Sequence, residues 1–284
     1  MFGRYLLLIG FILAPSAVGC QRTADSSTKP AVAVGNSYLE SAVHDLLGQS
    51  APVAEMVQPG ICPGHVDVRP SQVDVIRSCR LLLLFDFQTT MDRQVSELHQ
   101  LRTVPIKISN GMCEPTSYLA VCKQTAAALE QTGLLDPGAA GKRLTEIQAR
   151  LNAETASLRN QLKEAGLVGR AVVVTSGHQT EFCRWLRLDV LASLDGDDAA
   201  SIRSINDVVI KAQARSCKLV IANRPDGTQL AQMIANHLGG RVAVFDNFPS
   251  MTGKQTGFDA MLADNVDRLI AAGAPHRTTA GVLP

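Results

Sequence analysis

From residue 139 to residue 165 the chain reads AAGKRLTEIQARLNAETASLRNQLKEA, and nothing after Gly141 breaks a helix. Leu144, Ile147, Leu151, Leu158 and Leu162 recur at three-, four- and seven-residue steps, with Glu, Lys, Arg and Gln filling the other positions. One apolar stripe on an otherwise polar cylinder predicts a single long helix with one packed face. At 1.5 Å per residue it would be about 35–40 Å long, enough to run the length of a small protein. A coiled-coil hairpin is the alternative. The patterns on either side favour a rigid strut between two lobes.

Those flanking patterns are short apolar runs alternating with helical periodicity. In the first half, strands are expected at 31–35, 52–57, 81–85 and 104–108, with helices near 38–48 and 71–78. In the second half, strands are expected at 170–175, 188–192, 218–222 and 241–245, with helices near 179–187, 200–216, 228–238 and 256–272. Continuous apolar strands separated by helices predict mostly parallel sheets covered on both faces. The segments RSCRLLLLF and RSCKLVIAN each put a cysteine, Cys79 and Cys217, at the start of a strand, which suggests two halves built alike. The expected organisation is a signal segment at 1–19, a tether at 20–30, an N-terminal α/β lobe at 31–138, the connecting helix at 139–166 and a C-terminal α/β lobe at 167–284.

The first twenty residues, MFGRYLLLIGFILAPSAVGC, hold Arg4, an apolar run and small residues ending at Cys20. That is the layout of an export signal, too short to span a membrane. The ending AVGC resembles a bacterial lipobox, in which Cys20 carries the lipid and QRTADSSTKP is a polar tether. The mature chain of about 265 residues is long enough for two lobes with a buried core. A net charge of +1 and no basic face exclude nucleic acid as a partner, and 4% aromatic residues argue against a cleft that stacks sugars. Of seven cysteines, setting Cys20 aside leaves an even number in an oxidising compartment. Cys79 and Cys217 read as small buried hydrophobes, and Cys122 and Cys183 lie in helical patterns. Cys62 and Cys113 lie in Gly/Pro-containing loops and are the two expected to act.

Among six histidines, His65 is set in PGICPGHVDVRPSQ, a loop stiff enough to present a side chain rather than pack it. His178 follows an apolar strand in VVVTSGHQTEFCRWL, and Asp246 follows another in VAVFDNFPS. His44 and His237 fall in helical patterns, and His99 and His276 are read as exposed or structural. Asp246 by itself would more commonly cap a helix.

Taken together, these segments resemble the substrate-binding lipoproteins of bacterial zinc and manganese ABC transporters, from about Val32 to Ala272. In that family two α/β lobes joined by one long helix hold a metal ion in the cleft between them. PGICPGHVDVRPSQ is similar to the family's Pro-Gly-x-Asp-Pro-His loop, with Cys62 in place of the aspartate and one inserted glycine. TSGHQTEF supplies His178 with Phe182 four residues on, and the family's final acidic ligand corresponds to Asp246. The strand that often ends in glutamate ends here at Asn223. The family's second histidine is missing: SNGMCEPTSYLAV puts Asn110 in its place and Glu114-Pro115 at the family's Asp-Pro. The resemblance implies His65, His178 and Asp246 as ligands, completed by Glu114 or Cys113 or left with an open position. It places Cys62 and Cys113 beside the same cleft, where a disulfide between them is favoured over ligation by either thiol.

Two imidazoles and a carboxylate suit Zn²⁺ at about 2.0–2.2 Å, usually in tetrahedral geometry. A second carboxylate would also admit manganese or iron, whereas a thiolate would narrow the choice to zinc or copper. No His-Glu-x-x-His, no Gly-x-Ser-x-Gly elbow and no phosphate-cradling loop is present, so an enzyme is not expected. The expected protein is a monomeric, lipid-anchored receptor outside the cytoplasm, in the periplasm or at the cell surface. It would carry zinc, or manganese next, to an ABC permease. A metal-dependent hydrolase, or a lipoprotein of this fold binding another small solute, are the alternatives.

Overall fold

The structure is a computed structural model that describes residues 29–57, 68–95, 101–109, 111–194 and 201–274. The first sheet consists of β1 (Val32–Val34), β2 (Val53–Glu55), β3 (Leu81–Phe85) and β4 (Arg102–Ile106), in the order β2-β1-β3-β4. The second consists of β5 (Ala171–Val174), β6 (Asp189–Ser193), β7 (Leu219–Asn223) and β8 (Arg241–Phe245), in the order β6-β5-β7-β8. Every pairing is parallel, so the two halves repeat one doubly wound topology. The two RSC cysteines do the same job in each half. The Cys79 thiol donates to the Pro30 carbonyl (3.3 Å) and the Cys217 thiol to the Ala171 carbonyl (3.3 Å), each at the start of a central strand. Both are buried, as the apolar runs after them predict.

The helices of the first half are α1 (Ser37–Leu47), α2 (Pro70–Ser78), α3 (Thr89–Val95) and α4 (Pro115–Gln131). Then come α5 (Pro137–Glu164), α6 (Thr180–Trp185), α7 (Ile202–Ala214), α8 (Gln229–Leu238) and α9 (Gly257–Gly273). Asn36 caps α1, its side-chain oxygen accepting from the backbone N–H groups of Tyr38 and Leu39 (3.1 and 3.2 Å). The strut α5 is one helix of 28 residues. It begins two residues before the first alanine of the expected pattern, because Pro137 at the first helical position already has a helical φ and no N–H to satisfy. Ile147, Leu151, Leu158 and Leu162 of its stripe are buried, and Leu144 is partly so.

Sidedness follows from alternation along the strands. One face of the first sheet (Ala33, Leu82, Leu84) packs on α2 and α3, and one face of the second (Val173, Val220, Ala222) packs on α7 and α8. The opposite faces join α1, α4, α5, α6 and α9 in one continuous core that runs through both halves. The structure therefore has three layers in each lobe and a shared apolar spine between them. Among the described residues, no helix is long and apolar enough to cross a membrane.

Candidate metal centre

In both sheets the strands run parallel, so the residues that follow them gather at one edge, where an open α/β sheet presents binding groups. In the second lobe this edge is formed by Ser176 after β5, Asn223 and Arg224 at the end of β7, and Asp246 after β8. The turn that opens α4 in the first lobe meets it. A Cβ on Gly111 would come within 3.3 Å of Glu181 Cβ and 3.5 Å of the Phe182 nitrogen, so the two lobes touch closely there.

His178 is exposed on a short 3-10 turn, Gly177–Gln179, whose N-cap Ser176 accepts from the His178 N–H (3.3 Å). Phe182, one turn on, is buried against Phe245 in an edge-to-face contact. That packing fixes the turn carrying His178. Glu114, the N-cap of α4, is half-buried. Burial, followed by the neighbouring Glu181 carboxylate, raises its pKa above the ordinary carboxylate value. Glu181 was not singled out by the sequence pattern. It faces Glu114 from the other lobe and pairs with Arg184 one turn along.

Asp246 does not cap a helix. Its Oδ1 accepts from Arg224 Nε (2.8 Å) and its Oδ2 from Arg268 Nη1 (2.6 Å), so each carboxylate oxygen carries an ion pair. Its backbone is held as well, with the N–H donating to Asn265 Oδ1 and the carbonyl accepting from Asn265 Nδ2, both at 2.9 Å.

Cys113 is fully buried and free, so it does not carry the disulfide to Cys62 that the resemblance favours; its thiol donates instead to the Asp246 carbonyl (3.1 Å) and Asn247 Oδ1 (3.5 Å). Burial pushes this thiol far above its ordinary range. It belongs to a buried polar knot at the lobe junction. In that knot Gln179 Nε2 donates to Asn223 Oδ1 (2.9 Å) and Asn247 Oδ1 (2.6 Å), and Asn223 Nδ2 donates to Asp226 Oδ2 (2.8 Å). Cys113 is thus turned into the junction, whereas Glu114 is only half-buried. His65, Cys62, Asn110 and Cys20 lie outside the described residues. Among the described residues, no three His, Cys, Asp or Glu side chains stand close enough together to hold a metal ion. Glu114, His178 and Asp246 share one junction without forming a closed coordination shell.

Two doubly wound lobes on one rigid helix, with a polar junction at their strand ends, define a class of two-lobed α/β proteins built on a helical spine. The chain belongs to the family described as "Zinc-uptake complex component A periplasmic", whose model matches residues 32–272. Among solved structures, a Mn-bound periplasmic metal binding protein from Candidatus Liberibacter asiaticus shares 11% identity, covering 85% of this chain and 98% of its own, with a TM-score of 0.70. A crystal structure of ZnuA shares 14% identity, covering 86% and 98%, with a TM-score of 0.69. The zinc-bound 138-173 deletion mutant of ZnuA gives 14% identity, the same coverage and a TM-score of 0.66. No curated protein matches the chain.

Proposed function

We propose that the protein is an extracytoplasmic receptor that binds a divalent metal ion between its lobes, zinc in preference to manganese, and delivers it to an ABC permease. The observation that carries this reading is the meeting of Glu114, from the first lobe, with the strand ends of the second lobe that hold His178 and Asp246. His65, between β2 and α2 in the sequence, supplies the second imidazole in this reading. Two nitrogens and two carboxylates make a borderline donor set that accepts zinc and also manganese. The reading is of a binding protein rather than an enzyme, held at the membrane by a lipid on Cys20.

A ligand that binds only the folded state stabilises it by about 2.7 kcal/mol at a hundred times its dissociation constant. The melting temperature of the chelator-stripped mature protein should therefore climb with added zinc. His65→Ala, His178→Ala and Glu114→Ala should each flatten that climb while leaving the metal-free melting temperature nearly unchanged. The absence of any shift with zinc, manganese, iron or copper at high micromolar concentration would overturn the reading. A zinc-against-manganese competition on the reloaded protein decides which ion is preferred.

A further inference from the structure

A carboxylate that is to receive a metal ion is normally kept available to it, yet both oxygens of Asp246 are already engaged by arginines. The two arginines are not equivalent. Arg268 is fixed to the framework: on α9 beside β8, its Nη1 also donates to the Val244 carbonyl (3.2 Å), and its Nη2 lies 3.6 Å from Asp264. Arg224 stands on a 3-10 turn, Arg224–Asp226, with half of its side chain in solvent, and it reaches Asp246 through Nε. Arg268 has the hold of a structural brace, whereas Arg224 has room to swing away.

A zinc ion bonds a carboxylate oxygen at about 2.0–2.2 Å. On Oδ1, an ion at that distance and a guanidinium nitrogen at 2.8 Å would bring two cations side by side, and the solvent on the Arg224 side screens only part of their repulsion. Both charges compete for one oxygen. We propose that Arg224 is an affinity-setting residue: its guanidinium occupies Oδ1 of Asp246 as a stand-in cation, and it must leave when the ion arrives. The inference rests on the receptor reading above and assigns a role to a residue outside its ligand set. Arg224 lowers affinity in proportion to the ion pair that has to be broken, and it keeps the Asp246 charge balanced while the site is empty. Release of the ion is helped by the same arginine, which returns as the metal leaves.

The test uses the full mature chain, stripped of metal, with zinc as the probe and a fluorescent chelator as competitor. Arg224→Ala is expected to bind zinc at least about tenfold more tightly than the parent, because the competing cation has gone. Its metal-free melting temperature should stay close to that of the parent, since a half-exposed ion pair contributes little to stability. A structure of the zinc-loaded parent should show Arg224 Nε no longer hydrogen-bonded to Asp246. Parent and variant binding zinc equally, or a variant that binds more weakly, would overturn the inference while the receptor reading stands. Arg224 still bonded to Asp246 in the loaded structure would overturn it too. If neither protein binds zinc, the receptor reading and the inference fall together.

Discussion

Phe258 lies flat on Tyr118, with ring centroids 3.9 Å apart and planes 4° from parallel. The two residues come from opposite halves of the chain: Tyr118 is on α4 of the first lobe and Phe258 is in the first turn of α9, the last helix of the second. The contact is reinforced from both sides. The Phe258 N–H donates to Ser41 Oγ (3.0 Å), which is 2.9 Å from Tyr118 Oη, and Tyr38 meets both rings edge-on. Arg150 of the strut adds a charged tie, bidentate to Asp45 on α1 (2.9 and 2.6 Å) and bonded through Nε to Asp259 on α9 (2.7 Å). The lobes are therefore joined by a continuous helical interface as well as by the chain between them.

Removing the ring of Phe258 should destabilise the whole protein. Truncation of a buried phenylalanine costs about 3–5 kcal/mol, the cavity included. Phe258→Ala should move the urea midpoint down by that amount. Arg150→Ala should cost about 1–3 kcal/mol, because it leaves two half-buried carboxylates short of a partner. Arg150→Lys should recover only part of that, since an ammonium cannot reproduce the guanidinium fork. Equilibrium denaturation of the three variants checks the order.

A strut packed against both lobes permits only small closure. Binding proteins hinged on flexible crossover segments close by domain rotation, but here rotation would break the Tyr118–Phe258 stack and the Arg150 ties. Solution scattering with and without zinc should give nearly superimposable curves. A large contraction on loading would refute the rigid strut.

Glu55, at the end of β2, should make stability fall as pH rises. Burial, helped by the nearby Glu40 carboxylate, raises its pKa from 4.5 to about 7, and its buried Oε1 has no hydrogen-bond partner among the described residues. The folded state therefore holds this proton more tightly than the unfolded chain does. The resulting stabilisation is fully present below pH 4.5 and is lost as pH climbs through about 7. Glu55→Gln keeps the shape and removes the proton, so its stability should fall less than the parent's over that window. Thermal melts at pH 4.5, 6 and 8 compare the two.

Cys113, Cys122 and Cys183 should resist alkylation in the native state. All three are buried, and burial drives each thiol well above its ordinary value, leaving almost no thiolate. Iodoacetamide followed by mass spectrometry should leave these three unmodified in buffer and modified in denaturant. Cys113→Ser should keep zinc affinity while Glu114→Ala loses it, because the Cys113 thiol is turned into the junction.

Much of this architecture was legible in the sequence. Short apolar runs such as LLLLF and RVAVF have one comfortable home, a parallel strand covered on both faces, and β3 and β8 fall on the expected residues. The stripe of α5 was legible because all five of its apolar positions face one side, four of them buried and Leu144 packed at the edge of the same core. The helix α4 was not assigned a range from the sequence, because SYLAVCKQTAAALE is small and apolar around most of its circumference, and it is buried on most sides. The fourth strand was expected two residues late. Arg102 and Thr103 look like loop, but pairing with β3 sets the register from Leu81↔Arg102 onward. At the junction, the residues after strands could be picked out individually. The pairing of Asp246 with Arg224 and Arg268, each 22 residues away, follows from the packing of a turn and of α9 against β8, which no local pattern encodes.

The return of α9 to the first lobe also sets an order in time. Chains are made, and when exported delivered, from the amino end, so α1 and α4 emerge long before residue 257. Until the last helix arrives, Tyr38 and Tyr118, which have no exposed surface in the finished structure, have nothing to cover them. The first lobe is thus unfinished by itself, with an aromatic face that the chain's own carboxyl-terminal segment must cap. A nascent chain of this kind keeps that aromatic face uncovered until its last helix has been made.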